Sequence, residues 1–595
     1  MRDAQQYLET VSSRGERGLE LRRVYHNLQN RELFIRAYAK LYTNKGATTP
    51  GIDPSDTVDG MSLAKIDKII ADLKAGMYQW QPVRRSYVPK KGSRTHRRPL
   101  GLAGWNNKLV QEVIRMILTA YYEPQFSNNS HGFRPGRGCH TALQNILFRW
   151  KGTKWFIEVD LEKCFDSLSH TKLLAIINRN IKDERFLKLL KGMLQAGYLE
   201  SWIYHRTYSG APQGSVCSPI LANVFMNELD THIEQELIPE YTSGTFRQVN
   251  PDYAQVAMDI RRAQRKGDIT QYQRLVQKRR TIPYGDPYDP TYRRLKYVRY
   301  ADDVLLGFVG SKSETVEIKH KIGTFLQTVE LKMSEEKTLI THATTGRARF
   351  LGYDIYMAYN NTRLRHKRRS INGSPLLSVP ADVVKEHAKQ YTRNGKPRHR
   401  PELIDNADYD IVTTYNLEFQ GLVNYYTLAH DVATKLYPLK WVCRQSLVKT
   451  LADKHKKTAG WVYRNYYHKQ ENNIKAIVIE IPREDRKPLI ARFGAKPIRF
   501  DKGAVIEDQK PPIITPRNEL VTRLLTNQCE LCGSNETINV HHIRKLKDLE
   551  RRYQGRKAPP KWAVKMMAIR RKTLVVCSAC HQAIHAGTYD GPKLK

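Results

Sequence analysis

The 595-residue chain has no apolar run long enough to cross a bilayer, no internal repeat and no low-complexity tract. A spanning helix needs roughly 18 apolar residues in a row, so no membrane-crossing helix is expected. Acidic residues are scarce against basic ones: 59 Asp and Glu face 99 Lys and Arg, a formal net charge of +40. That excess goes far beyond what solubility asks for and would repel itself without a polyanionic partner, which points to nucleic acid. A disulfide framework is also missing. Of eight cysteines, Cys139, Cys164, Cys217 and Cys443 are scattered, whereas Cys529, Cys532, Cys577 and Cys580 form two C-x-x-C pairs, the spacing of a metal site. The start shows no basic leader followed by an apolar stretch, and Asp3 with several nearby Glu disfavours a transit peptide. What is present is length: 595 residues exceed one core and predict three or more domains.

Along the chain the apolar spacing of "MSLAKIDKIIADLKAGM" (61–77) predicts a helix with a Gly near its end, and residues 1–80 read as helical throughout. A strand then runs into a basic turn in "VRRSYVPKKGSRTHRRPLGL" (83–102). Residues 104–150 are helical again, broken by "SHGFRPGRGCH" (130–140). "KWFIEVDLEKCFDSL" (154–168) starts as a strand whose alternation carries Asp160 to its end. The stretch 235–292 has too few apolar positions for a core and reads as a basic helical insertion. From about 408 to 470 a helical stripe of Leu436, Leu439, Cys443 and Leu447 is surrounded by cations, and 480–526 is a Pro-rich basic connector or small module.

The sharpest feature is "YVRYADDVLL" (297–306), where Asp302 and Asp303 stand side by side between two β-prone runs, as in a hairpin turn. Adjacent carboxylates repel unless a cation neutralises them. Asp favours turns for local reasons too, so the pair alone is compatible with a structural turn. With Asp160 brought alongside, three carboxylates could hold two Mg²⁺ roughly 3.5–4 Å apart, an arrangement that activates an attacking hydroxyl and stabilises a leaving pyrophosphate.

"RYADD" resembles the Y-x-D-D box of reverse transcriptases, and companion blocks follow in the expected order: "VDLEKCFDSL" (159–168), "SGAPQGSVCSPILANVFMNELD" (209–230), "LKMSEEKTLI" (331–340) and "RFLGYDI" (349–355). With "RRPLGL" (97–102) and "SHGFRPGRGCHTAL" (130–143) they resemble the group II intron branch, the maturase-reverse transcriptases. The resemblance implies that Asp160, Asp302 and Asp303 bind the polymerase Mg²⁺ ions while a primer 3′-OH attacks the α-phosphate of a dNTP. It implies that Phe165 stands against a ribose 2′-OH, that Gln213 lies along the nucleotide with Gly214 allowing close backbone approach, and that Lys90, Arg98 and Arg84 clamp the triphosphate. Lys337 would be a basic residue near the active site. Phosphate contacts by the surrounding Lys and Arg imply binding that weakens steeply with salt.

In this family a helical thumb, domain X, follows the palm, and "YNLEFQGLVNYYTLAHD" (415–431) resembles a block of it. Tyr425 and Tyr426 could stack on bases or pack the helix. The stripe Lys435, Lys440, Arg444, Lys449, Lys454, Lys456 and Lys457 would meet intron RNA.

In the tail, the four cysteines are enough for a closed tetrahedral Zn²⁺ site. "NVHHIRK" (539–545) and "CHQAIH" (580–585) add histidines; His581 and His585 are four apart and share a helix face. With His541 they could form a three-His divalent metal site, Mg²⁺ or another ion, leaving His542 as general base. This resembles an HNH endonuclease of the ββα-metal type; a zinc ribbon that only binds DNA is the alternative. The middle Asn of the HNH pattern has no clear counterpart, and Thr573 stands near its place.

The expected fold class is therefore a multidomain α+β chain. Fingers and palm of a right-hand polymerase fill 1–365 with the insertion at 235–292, a thumb or domain X fills 366–482, a basic DNA-binding region 483–526, and a zinc-containing ββα-metal HNH nuclease 527–595. The expected function is RNA-directed DNA synthesis, assistance to intron splicing, and nicking of a target DNA strand to prime copying. Partners would be a group II intron RNA, bound by a monomer or dimer, target DNA and dNTPs, with no membrane, in bacterial cytoplasm at the nucleoid or in an organelle. The competing readings are a reverse transcriptase working without an intron and a non-catalytic splicing chaperone.

Overall fold

The computed structural model describes residues 3–44, 46–89, 97–162, 164–200, 203–207, 209–210, 214–362, 364–365, 368–369, 371–470, 473–483, 487–506, 519–543, 546, 549, 559–568 and 571–589. Lys90 and Gln213 lie outside the described residues. Among the described residues no helix is long and apolar enough to cross a membrane.

At the centre is a four-stranded antiparallel sheet in the order Arg294–Tyr300, Asp303–Val309, Trp155–Val159, Leu339–His342. The run "VLLGFV" (304–309) is apolar at every position because both faces of this sheet are covered. Val304, Leu306 and Phe308 join a core with Ile157, Val159 and the N-terminal helices, while Leu305 joins another with Phe156, Val298 and the helices after residue 400. A second four-stranded sheet packs Val83–Pro89 between Arg97–Leu102, antiparallel, and Tyr198–Glu200, parallel, with Ile203–His205 at the edge. The helix Leu63–Ala75 begins at Ser62, whose hydroxyl accepts from the Lys65 N–H at 3.1 Å, and ends at Gly76 with φ +72°. In the basic stretch, helices Pro251–Arg265 and Ile269–Thr281 pair with each other; the first buries Val256, Ile260 and Ala263, the second nothing.

Two expected boundaries fall inside sheets. Strand Pro375–Ser378 pairs with Tyr353–Met357, which pairs with Ala348–Phe350, so one sheet spans position 365. Strand Leu489–Phe493, read from sequence as connector, pairs with Lys475–Ile481 and covers the helix Asp408–Tyr425. Arg492 and Glu480, both polar, face outward from this sheet while Ile477, Ile479, Ala491 and Phe493 face in, a half-buried pattern that the surrounding basic residues masked.

The helix Val432–His455 buries the predicted stripe of Leu436, Leu439, Cys443 and Leu447. Much of the cationic flank is spent inside the protein: Lys440 donates to Gly494 O at 2.8 Å, Arg444 to Tyr467 Oη at 2.7 Å, Lys449 to Pro397 O at 2.7 Å, and Lys454 pairs with Asp408 at 2.8 Å. Tyr425 and Tyr426 pack, their hydroxyls donating to Leu351 O at 2.8 Å and Gly352 O at 3.0 Å.

The tail folds as an antiparallel pair, Ile538–His542 with Thr573–Cys577, followed by the helix Ser578–Ala586. It is not a separate bead. Its Val540, Val575 and Trp562 belong to the same core as Met61, Tyr38 and Trp105 near the N-terminus.

Candidate active sites

Asp302 and Asp303 sit at a two-residue hairpin whose ends, Tyr300 and Asp303, face each other. The register Val159↔Val304 places the next residue of the neighbouring strand, Asp160, beside Asp303. Thus strand pairing alone delivers the third carboxylate to the turn. Lys337 Nζ lies 3.2 Å from Asp160 Oδ2, and Phe165, half-buried just beyond Asp160, meets Phe133 edge-on at 6.3 Å. The carboxyl of Asp303 is pushed up to about 6. Protein packed around it strips hydration although one edge stays open to solvent; the charges of Asp302 and Asp160 add to the rise, and Arg98 opposes it. A divalent cation is the natural relief for such a cluster.

The turn is held from behind. Ala301 has φ +57°, a conformation costly for a residue with a Cβ. The buried guanidinium of Arg299 donates to Ala301 O at 2.8 Å and to Asp230 Oδ1 and Oδ2 at 2.7 and 2.6 Å, and also reaches Ser130 Oγ at 2.8 Å. Tyr297 also donates to Asp230. Main-chain bonds His131 N to Arg299 O, 2.9 Å, and Arg299 N to Asn129 O, 2.8 Å, tie in the 130–140 segment. Gly132 has to be glycine here, since a Cβ would stand 2.3 Å from Ala301 N. Neither Arg299 nor Asp230 stands out in sequence: the one reads as an ordinary strand cation, the other as the polar end of a helix. The only signal is a charged residue set among Tyr297, Val298 and Tyr300 in a β-prone run.

Other expected residues are placed less centrally. Arg84 donates to Pro50 O at 3.2 Å and Gly51 O at 2.9 Å, so its guanidinium is engaged with a loop of the chain itself. Gly214, at φ +100°, lies so close to the Arg97–Leu102 strand that a Cβ would stand 2.8 Å from Gly101 O; the close approach seen is to the chain. Arg98 is exposed on that strand and near enough to Asp303 to act on its charge.

In the tail, the ligand atoms of Cys529, Cys532, Cys577 and Cys580 lie within 4.8 Å of one another, and no disulfide joins them. Sγ of Cys532 and Cys577 are 3.6 Å apart. A tetrahedron of sulfurs about 2.3 Å from Zn²⁺ has edges of about 3.8 Å, so the donor set fits that ion.

The second cluster joins His541, His581 and His585 to a residue that sequence reasoning missed, Asp59. His581 Nε2 is 3.1 Å from Asp59 Oδ1, His585 Nε2 2.7 Å from Oδ2, and His541 Nδ1 3.5 Å from Oδ1. Neither ring nitrogen of the buried His541 has a hydrogen-bond partner, as suits a nitrogen aimed at a metal. Burial would raise the Asp59 carboxyl, but the close approach of the His541 ring and its charge, with hydrogen bonds from His581 and the His542 N–H, hold it far below the usual range. His542 is pushed down to about 3, chiefly by burial and secondarily by His541 and His581 against the pull of Asp59, so it is neutral at physiological pH. Its Nε2 lies 3.0 Å from Tyr38 Oη. Thr573 pairs directly opposite His542, with Arg523 reaching its hydroxyl at 3.3 Å and its carbonyl at 3.1 Å. Asp59 is more than 480 residues away in sequence, in a loop with no local motif.

Three known protein families match along the chain. Residues 88–355 match the reverse transcriptase (RNA-dependent DNA polymerase) family, 374–480 the type II intron maturase family, and 529–581 the AI2M/AI1M-like HNH endonuclease family. The chain is 37% identical to the group II intron-encoded protein LtrA of Lactococcus lactis subsp. cremoris, across 98% of this chain and 99% of that one. It is 33% identical to an uncharacterized 91 kDa protein in the cob intron of Schizosaccharomyces pombe, over 94% of this chain and 69% of that one. It is 31% identical to a putative COX1/OXI3 intron 1 protein of Saccharomyces cerevisiae, again over 94% and 69%.

Proposed function

The chain belongs to the group II intron-encoded proteins, with reverse transcriptase, intron maturase and HNH endonuclease domains, and from that premise we propose how its residues divide the work. Asp160, Asp302 and Asp303 hold the divalent ions, Mg²⁺, that serve a primer 3′-OH and an incoming dNTP, on the palm of a right-hand polymerase. The hairpin register that sets Asp160 beside the Asp pair carries this reading. When bound, the metals supply charge for the entering and departing oxygens. The protein's own part is to fix the carboxylates: Arg299 and Asp230 lock the turn, and Lys337 orients Asp160. Arg98, with Lys90, meets the triphosphate, Phe165 bars a 2′-OH, and Gln213 lies along the nucleotide.

The helices after residue 400 serve as thumb and maturase surface for the intron RNA. A cleft of about 1860 Å³ between the 251–281 helices and the sheet edge, lined by Lys151, Lys154, Arg247, Arg279, Arg280 and Lys312, offers a further basic surface for phosphates. In the tail, the four cysteines bind structural Zn²⁺, His541, His581 and His585 hold the catalytic divalent ion of a ββα-metal nuclease, and His542 takes the proton from the attacking water. The nick supplies the 3′-OH for copying the intron into target DNA, in bacterial cytoplasm; the Lactococcus relative is from a bacterium.

The test of the polymerase half is primer extension on intron RNA. The Asp302→Asn protein is expected to lose DNA synthesis by about 10³-fold, equivalent to about 4 kcal/mol of barrier, while splicing continues. Synthesis at the wild-type rate would remove the triad from the mechanism.

A further inference from the structure

In the histidine cluster of the tail His585 is exposed, His541 is buried and His581 is half-buried. Asp59 stands across the cluster, with both carboxylate oxygens turned to the ring nitrogens. We propose that Asp59 is a fourth ligand of the tail metal and that the docking which brings it there is a closed, resting state of the nuclease. This rests on reading the cluster as the nuclease centre.

Three observations carry it. First, three imidazoles and one carboxylate offer ligand atoms all within 4.8 Å of one another, enough donors for a four-coordinate ion. A hydrolytic metal needs an open position for water and phosphate, and on a four-coordinate ion such as Zn²⁺ four protein ligands leave none. A phosphate oxygen, also anionic, would compete with the Asp59 carboxylate for the same ion.

Second, the carboxylate is delivered by a built contact. Gly60 N donates to Val540 O at 3.0 Å and Val540 N to Met61 O at 2.9 Å, extending the tail's hairpin by one antiparallel bridge from the N-terminal region. The His542 N–H completes the hold on Asp59 Oδ1 at 2.7 Å. Met61 and Val540 are wholly buried, and Trp105 Nε1 donates to Met61 Sδ at 3.3 Å.

Third, the same docking covers the base. His542 is only 9% exposed, and Tyr38, from the helix Arg31–Leu41, occupies its Nε2 at 3.0 Å. One movement of the tail away from the 38–61 region would free the metal position and the base together. The device suits an enzyme whose nick is useful only when its polymerase is engaged with the same DNA: the docking partner of the nuclease is the N-terminal part of the polymerase region.

The experiment uses the full-length protein with zinc kept at the four cysteines, titrated with Co²⁺ alone and read by its visible absorption. Wild type is expected to bind one further Co²⁺ with the intense band of a four-coordinate ion. Asp59→Ala should bind it at least tenfold more weakly and with a paler band, as water replaces the carboxylate. In the ribonucleoprotein, Asp59→Ala and Tyr38→Phe should nick target DNA several-fold faster than wild type. Asp59→Asn, which keeps the acceptor for the His542 N–H, guards against a folding defect and should show the same cobalt change. An unaltered cobalt band and affinity in both Asp59 variants would overturn the ligand, and nicking lost in Asp59→Ala would overturn the closed state. If instead His581→Ala nicks like wild type, it is the nuclease reading itself that fails; the cobalt titration reports on Asp59 independently of that result.

Discussion

The two clusters solve the problem of gathering metal ligands in opposite ways. At the hairpin, three carboxylates meet at an open turn, and what fixes them is the buried pair Arg299 and Asp230 behind the backbone. In the tail, the imidazoles, which can gather uncharged, converge without such a buttress and are met by Asp59 and Tyr38 from another part of the chain. Anionic ligands have to be held apart from each other by scaffolding until a cation arrives; neutral ligands can be pre-assembled and are then kept from premature use by a lid. The difference teaches where each site is fragile.

The largest effect should come from the tail. Cys577→Ser removes one thiolate from the four and with it most of the site's hold on zinc, worth about 10–16 kcal/mol in small zinc domains. The tail is expected to lose its zinc and become protease-sensitive, as read by metal analysis and limited proteolysis, while extension of a supplied primer continues. Next comes the buttress. Arg299→Met leaves the Asp230 carboxylate buried and unpaired at a cost of about 3–5 kcal/mol, and denaturant unfolding together with primer extension should show lower stability and slower synthesis. A stable, fully active Arg299→Met would mean the turn needs no support from behind.

The pH response sharpens the contrast. Because Asp303 is pushed up to about 6, above its unfolded value, protonating it stabilises the metal-free fold. That contribution is full below about pH 4 and is lost as pH rises through 6. In chelator, Asp303→Asn should therefore gain melting temperature over wild type as pH goes from 4.5 to 7.5, and added Mg²⁺ should erase the gain. The smallest effect is expected at Lys337, whose pairing with Asp160 is largely exposed. Lys337→Met should change stability by less than about 0.5 kcal/mol, with only a modest slowing of synthesis.

How far the sequence could be read follows from the range of each signal. The Asp pair and the four cysteines are local patterns, and the strand alternation that ends on Asp160 needs only five residues. The His-x-x-x-His pair is visible from helical spacing alone. Arg299 and Asp230 meet across 69 residues, and Asp59 reaches the tail across more than 480. No periodicity encodes such meetings, since they are fixed by how cores share faces. The strand Leu489–Phe493 is hidden for another reason: only Arg492 marks its outward face and its flanks are basic, so composition outweighs alternation. The cationic stripe after residue 430 misled in the opposite direction, because side chains that look free in sequence are bound to carbonyls and carboxylates.

The central claim is that two separate metal centres of one chain act in succession on one DNA. The most direct measurement gives the ribonucleoprotein target DNA and dNTPs and maps nicks and new strands by sequencing gel. His542→Ala is expected to leave the target strand uncut while still extending a supplied primer, and Asp302→Asn to cut the strand without extending it. Cleavage by His542→Ala at the wild-type rate, or extension from the nick by Asp302→Asn, would contradict the account.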